Sequence, residues 1–316
     1  MSRRVVAFAP GSVGNVGPGL DILGLAVEGA GDSVAAEWTA SPGISITDPG
    51  HPELPREPER HASALAAQAV IDRVGTASVR GRGVALAVTK GLPLSGGQGG
   101  SAASAVAGAV AVNALLGMPL DRVALVECCL AAEEAVAGRH ADNLAPSLLG
   151  GIILIRAMDP PDLVSLPVPP ELYVVLARPD QRMRTVEARA VLPRELPREV
   201  ALHQAAQVGA VVAALALGDY ALLGRAIDDR IAEPARAGLL PGFREAKAAA
   251  LAAGALGSSI SGSGPTVFAL ARGAASAARV AEAMRQGYRS AGYECEVRFG
   301  AVDRTGARVV EDTERG

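Results

Sequence analysis

The sequence predicts an α+β protein of two domains. Three observations carry that expectation. The chain has 316 residues, against roughly 150 for a typical domain. Strand-like and helical stretches mix irregularly, with hairpin-like neighbours in the second half rather than strict alternation. Arg156 to Pro170 holds five prolines in 15 residues. That break in composition places the boundary at residue 160, giving domains of 1–160 and 161–316.

The elements follow in order. Val5 to Ala9 is an apolar strand, and Pro10 to Gly19 a loop rich in Gly, Asn and Pro. Val34 to Trp38 is a second strand. Prolines at 42, 49, 52, 55 and 58 make the next segment an irregular excursion. His61 to Val74 is helical, with Leu65, Ala69 and Val70 on one face. Strand Val84 to Thr89 leads into a glycine-rich loop and an apolar helix from Ser101 to about Leu116. Asp121 can cap a helix that runs to about Val136, where Gly138 stops it. Gly151 to Ile155 is a short buried strand. In the second half we expect strands at 172–178, 258–261, 266–271 and 293–300. Helices are expected at 198–217, 219–229, 241–253 and 274–290.

Composition excludes several classes. Lys plus Arg number 30 against 33 Asp plus Glu, a net charge of −3, so no basic nucleic-acid surface is expected. Aromatic residues are only 3%, few rings for stacking bases. Cys128, Cys129 and Cys295 form no CxxC or Cys/His cluster, which points to a reducing compartment and no zinc. The N-terminus leads into a short strand rather than a signal-peptide core, so a cytoplasmic protein is expected. Gly91 to Leu120 is 30 residues without a charge, but its glycines, Pro93 and Gln98, and a weakly apolar alanine-rich remainder, suit a buried core helix better than a membrane span.

Four polar segments are candidate site pieces. Gly96-Gly97-Gln98-Gly99-Gly100-Ser101-Ala102-Ala103 lies between a strand and a helix. Its small residues allow close backbone approach, and a helix N-terminus favours a phosphate. A flexible connector is the plainer reading. It loosely matches G-x-G-x-x-A, but no ribose-binding acid follows about 20 residues on, and no Gly-Lys-Ser/Thr makes it a Walker A loop. Glu133 and Glu134 follow; with Ser101, one of these carboxylates can hold magnesium through oxygen ligands, or the pair is an exposed charged face. Asn15, Gly17, Pro18, Gly19 and Asp21 mark either a turn or a site. Arg139-His140-Ala141-Asp142-Asn143 sits between apolar segments, where Asp142 or Asn143 can also serve as a helix cap. Arg189 and Arg236 suffice for a carboxylate clamp. Gly257 to Pro265 is a second glycine-rich loop, or simply a tight hairpin.

These segments together carry a resemblance. Asn15-Val16-Gly17-Pro18-Gly19-Leu20-Asp21, Pro93 to Ala103, Arg139 to Pro146, and Ile260-Ser261-Gly262-Ser263-Gly264-Pro265-Thr266 resemble the motifs of the GHMP small-molecule kinases, in that family's order. Within the superfamily they are most similar to its homoserine-phosphorylating branch. The likeness covers nearly the whole chain. It implies a GHMP-kinase fold, with an N-terminal ATP-binding domain like the second domain of ribosomal protein S5 and a ferredoxin-like C-terminal domain.

The same resemblance implies that ATP binds over Pro93, Leu94, Ser95, Gly96, Gly97, Gln98, Gly99, Gly100, Ser101, Ala102 and Ala103. Mg2+ would be held by Ser101 and Glu133, with a slip to Glu134 open. L-homoserine would lie against Asn15, Asp21, His140, Asn143, Arg189 and Arg236: Asp21 for the ammonium, the arginines for the carboxylate, Asn143 for the hydroxyl. Ser101, Glu133 and Asn143 would carry the catalysis. The implied reaction is phosphoryl transfer from ATP to the side-chain hydroxyl of L-homoserine, in threonine biosynthesis, with neither nucleic acid nor membrane as partner; a homodimer is left open. Three positions depart from the family pattern: Gly100 replaces a serine, Gln98 an apolar residue and Leu20 a phenylalanine.

Two other readings compete. A sister kinase acting on mevalonate or another small alcohol would not need both an ammonium partner and a carboxylate clamp. A catalytically dead ligand sensor is suggested by Gly100, and opposed by Ser101 and the acidic pair.

Overall fold

The computed structural model describes residues 2–136 and 138–315. Its strands are β1 (Ser2–Gly14), β2 (Leu23–Thr39), β3 (Gly43–Asp48), β4 (Gly83–Thr89), β5 (Ile152–Met158), β6 (Pro161–Leu166), β7 (Leu172–Pro179), β8 (Gly257–Ile260), β9 (Val267–Arg272), β10 (Cys295–Ala301) and β11 (Arg308–Arg315). Its helices are α1 (Ala62–Val74), α2 (Gly100–Leu115), α3 (Arg122–Val136), α4 (Leu144–Leu149), α5 (Thr185–Ala190), α6 (Arg198–Leu217), α7 (Tyr220–Ala226), α8 (Ala232–Arg236), α9 (Phe243–Ala252) and α10 (Ala274–Ser290).

Two sheets organise these elements. The first runs β11-β1-β2-β4-β3, with β5 on β2 and β6 on β5. Helices α1 to α4 cover one face, and α2 is buried along nearly its whole length among them. That explains the uncharged alanine-rich run: a helix surrounded on all sides needs no polar face. The second sheet is antiparallel in the order β10-β7-β9-β8. Numbered within its own domain the order is 4-1-3-2, the ferredoxin-like arrangement expected. Its outer face packs on α9 and α10. Its other face meets β2 and α6 through Leu25, Val27, Leu176, Val211 and Phe268.

Several expectations change. The excursion after Pro42 contains β3, whose Ile44 and Ile46 alternate toward the core; the surrounding prolines hid that period. The proline-rich break contains β6, with Pro161 at the first position of the strand, where no ladder donor is required. The charged segment Arg308–Arg315, for which the sequence predicts no element, forms β11, an edge strand on β1. Its charges suit an edge and pair across the strands, Arg3 with Asp312 and Arg4 with Glu311. A boundary at residue 160 therefore separates β6 and β11 from the sheet they pair with. The helix expected over 219–229 ends at Ala226. Beyond it Asp229 gathers the N–H groups of Ile231, Ala232 and Glu233 at 2.8–3.1 Å and starts α8. Helix α6 is long and apolar enough to cross a membrane by length and composition, with a mean hydropathy of 1.7. Its Val211, Ala214 and Leu215 are buried, whereas Leu202 and Leu217 are exposed.

Candidate active site

A cleft of about 500 Å3 is lined by loops and helix ends from both halves of the chain. Strand β4 delivers the chain to it through Lys90, which bonds the buried carboxylate of Asp32 and reaches Gly100 O and Ser104 Oγ, both at 3.0 Å. The other Asp32 oxygen accepts from the N–H groups of Gly91 and Leu92 at 3.1 and 3.2 Å. This pair ties the entry of the glycine loop to the start of α2. No local pattern announces it, because Asp32 lies on β2, 58 residues before Lys90.

The loop then turns through Ser95, Gly97 and Gly99, all with positive φ. Gly99, at φ 70, precedes α2, and no side chain caps that helix. A Cβ on Gly99 would lie 2.2 Å from Ser12 Oγ, and one on Gly97 within 2.8 Å of the backbone of Ser261 and Gly264. The loop is thus pressed against β1 and the second glycine loop as well as facing the cleft. Pro93 to Gly97, Gly99, Gly100 and Ser101 line the cleft. Ala102 and Ala103 are buried beneath it, and the Gln98 side chain turns away toward Thr266 and Arg298.

At the mouth of α2, Ser101 Oγ donates to Glu133 Oε1 at 3.1 Å. Glu133 is 6% exposed, and its Oε2 is buried without a partner. Burial pushes its carboxyl up to about 7. Glu134 instead faces out, 3.4 Å from Arg139, which settles which of the two carboxylates stands beside Ser101. An orphaned carboxylate oxygen next to a serine hydroxyl is a hard-oxygen donor set of the kind magnesium takes when phosphates supply the rest. Among the described residues no group of three or more His, Cys, Asp or Glu is placed to hold a metal ion by itself.

The opposite wall carries the charged set. Arg189, on α5, holds Asp21 through both guanidinium nitrogens at 2.6 and 3.2 Å and donates to His140 Nδ1 at 3.0 Å. Burial and the Arg189 charge keep the His140 pKa below the ordinary histidine value. Arg236, at the end of α8, is 2% exposed and donates to Ala188 O at 3.0 Å and Gly262 O at 2.9 Å. Burial pushes its pKa down, and Arg189 nearby adds to that.

Asn15 lines the cleft as well. Its amide is spent on backbone, donating to Gly262 O at 3.0 Å and accepting from Asp21 N at 2.7 Å. It shapes the loop that presents Asp21, and both residues have positive φ. Asn143 Oδ1 accepts from Ser12 Oγ at 3.0 Å; its side chain caps nothing. The second glycine loop is a β8–β9 hairpin that also ties the site. Ser261 Oγ donates to Gly97 O at 2.6 Å, and Gly262 N to Gly14 O at 2.9 Å.

Asp142 and the Glu53–Arg182 pair also line the cleft. Asp142 is buried, and burial raises its carboxyl to about 6. The sequence offers it both as part of the Arg139 to Asn143 site segment and as a helix cap, and its place beside His140 and Asn143 is the signal. Glu53 and Arg182 form a bidentate pair at 2.5 and 2.8 Å across the cleft mouth. Nothing local in the sequence joins residues 129 apart.

Known proteins resemble this chain over nearly its whole length. Residues 61–151 match the family described as GHMP kinases N terminal domain, and residues 211–290 that described as GHMP kinases C terminal. The homoserine kinase of Chloroherpeton thalassium is 41% identical over 327 aligned residues, covering 98% of this chain and 100% of the relative. That of Arabidopsis thaliana is 41% identical, covering 98% of this chain and 86% of the relative. The crystal structure of homoserine kinase from Cytophaga hutchinsonii superposes with a TM-score of 0.93 at 38% identity, covering 97% of each chain. The chain belongs to the homoserine kinase family of GHMP kinases.

Proposed function

We propose that this chain transfers the γ-phosphoryl group of ATP to the side-chain hydroxyl of L-homoserine, giving O-phospho-L-homoserine and ADP in threonine biosynthesis. The observation that carries this is one cleft lined, on one wall, by an uncapped helix start beside the Ser101–Glu133 pair and, on the other, by Arg189 and Arg236, with Asp21 held against Arg189. The first wall suits a polyphosphate. The second offers a carboxylate and two guanidinium groups, the partners of an amino acid's ammonium and carboxylate.

Phosphoryl transfer passes through a loose transition state, so positioning and charge neutralisation supply most of the rate. The backbone of Gly96 to Ser101 takes the phosphates. Ser101 and Glu133 would hold Mg2+, which would supply positive charge to neutralise the phosphate oxygens. Arg236 and Arg189 fix the substrate carboxylate, and Asp21 its ammonium. In the ligand-free cleft Asp21 and Arg189 satisfy each other, and the zwitterion exchanges with that pair. Asn143 orients the hydroxyl, with Asp142 beside it. The proton leaves to a phosphoryl oxygen, so no strong base is required. The reading needs neither nucleic acid nor membrane and fits a cytoplasmic enzyme with three free cysteines.

The test is a transfer assay with purified protein, ATP, magnesium and a panel of amino and hydroxy acids, with products identified by mass. Phosphate on homoserine is expected. Transfer to mevalonate but not homoserine, or no transfer to any acceptor, refutes the reading.

A further inference from the structure

Arg298 is a charged side chain behind the glycine loop that the mechanism above does not use. It projects from β10, on the second sheet. Its Nε donates to Gln98 Oε1 at 3.1 Å, and its Nη1 lies 3.4 Å from Glu28 O. Its Nη2 is buried without a partner, close to Gly11, where an added Cβ would lie 3.2 Å from it. No carboxylate forms an ion pair with it among the described residues. Burial lowers its pKa to about 10, so it remains a cation at neutral pH.

Gln98 is the one long side chain in the loop, and it is 5% exposed. It also donates from Nε2 to Thr266 Oγ1 at 3.2 Å, while Thr266 Oγ1 donates to Gly96 O at 2.5 Å. Its own carbonyl accepts from Ser12 N at 3.1 Å. Gln98 therefore joins the loop to the second sheet on the side away from the cleft. A guanidinium with a buried, unpartnered Nη2 and no carboxylate within ion-pair distance, only Glu296 acting on it from farther off, is costly, and in front of this one stands a loop whose other face is read as taking a polyphosphate.

We infer that Arg298 is a positioning residue for nucleotide binding: through Gln98 it fixes the loop from behind, and its positive charge, in ion-pair contact with no carboxylate, favours an anion on the loop's front face. This rests on the assignment of that loop to ATP.

The test combines Arg298→Met, Gln98→Leu and the double variant, with steady-state kinetics below the unfolding transition of every variant and calorimetric titration with MgADP. Arg298→Met is expected to raise KM for ATP and Kd for MgADP about tenfold, the size of a lost hydrogen bond to a charged group. KM for homoserine should stay within twofold. Gln98→Leu, which strands the guanidinium, should lower thermal stability as well. Adding Arg298→Met to it should recover the stability, with a nucleotide effect no larger than that of Arg298→Met alone. An unchanged MgADP affinity in Arg298→Met overturns the inference. So do additive effects in the double variant, or an equal loss for both substrates. Absence of kinase activity in the parent protein counts instead against the proposed function, which the MgADP titration keeps separate.

Discussion

Arg189 grips both oxygens of Asp21, at 2.6 and 3.2 Å, although the two residues are 168 positions apart. The contact joins the N-terminal loop after β1 to α5 of the second half. Two groups read as partners of opposite ends of one substrate are partners of each other while the cleft is free. Asp21→Asn and Arg189→Gln are therefore expected to be non-additive in kcat/KM for homoserine. The coupling expected between contacting residues is about 0.5–3 kcal/mol. It should fall at the low end, because the Asp21 side chain is 38% exposed and solvent screens the pair. A double-mutant cycle that closes additively shows that the pair does not act as a unit.

Arg236 is buried and spends two donors on backbone carbonyls. Arg236→Leu should lower kcat/KM for homoserine by roughly 30- to 3000-fold, the cost of about 2–5 kcal/mol for truncating one member of a desolvated charge pair. Arg236→Lys should rescue it only in part, since an ammonium lacks the planar fork. Homoserinol, which lacks the carboxylate, separates binding from scaffolding. The parent protein should strongly prefer homoserine, and Arg236→Leu should lose most of that preference. An equal loss on both substrates makes the arginine structural.

Ser101→Ala and Glu133→Gln should each reduce kcat more than homoserine affinity, because both act at the metal and phosphates. Glu134→Gln should be nearly silent, given its exposed position. Magnesium titrations of the three variants check this, and a severe effect at Glu134 with a benign one at Glu133 contradicts the geometry.

The Glu133 carboxyl, at about 7 in the folded protein against an ordinary 4.5, makes a pH prediction. The folded state holds this proton over a range where the unfolded chain has lost it. Stability is therefore full below about pH 4.5 and falls as pH rises toward 7, by about 3 kcal/mol at 1.36 kcal/mol per pH unit. Asp142, raised from 3.8 to about 6, acts in the same direction. In metal-free buffer Glu133→Gln should thus melt higher than the parent at pH 8 and close to it at pH 4. Thermal unfolding at both pH values gives the answer, and equal melting at pH 8 shows that the buried carboxylate costs nothing.

Gly99→Val should abolish nucleotide binding, since φ is +70 and the new Cβ would strike Ser12 Oγ. Gly100→Ser should be tolerated. Its Cβ would meet Pro93 O at 3.3 Å and Lys90 Nζ at 3.5 Å, tight but without a positive φ. A hydroxyl there adds at most one hydrogen bond, worth about 0.5–1.5 kcal/mol. Near-normal ATP affinity in Gly99→Val, measured by calorimetry, contradicts the loop assignment.

The sequence by itself determined what depends on neighbours along the chain. The apolar run of α2, the Asp121 cap, which accepts from Ala124 N at 2.9 Å, and the β8–β9 hairpin were all legible, because periodicity, capping and turn chemistry act within a few residues. The glycine loop, Ser101, the acidic pair and the polar segments at 15–21 and 139–143 were legible as motifs. Tertiary structure decided the rest. It chose Glu133 over Glu134, since only packing of α3 against α2 buries one and exposes the other. It turned Asn15 into a backbone brace and Asp142 into a buried acid. It brought Lys90 to Asp32, Arg182 to Glu53 and Arg298 to Gln98 across 58, 129 and 200 positions. It also made a charged C-terminal segment into β11, where pairing across to β1 supplies the strand signal that the segment's own composition lacks. Charge pairs between distant segments leave no period in a single sequence; they exist only once sheet register and helix packing fix both ends.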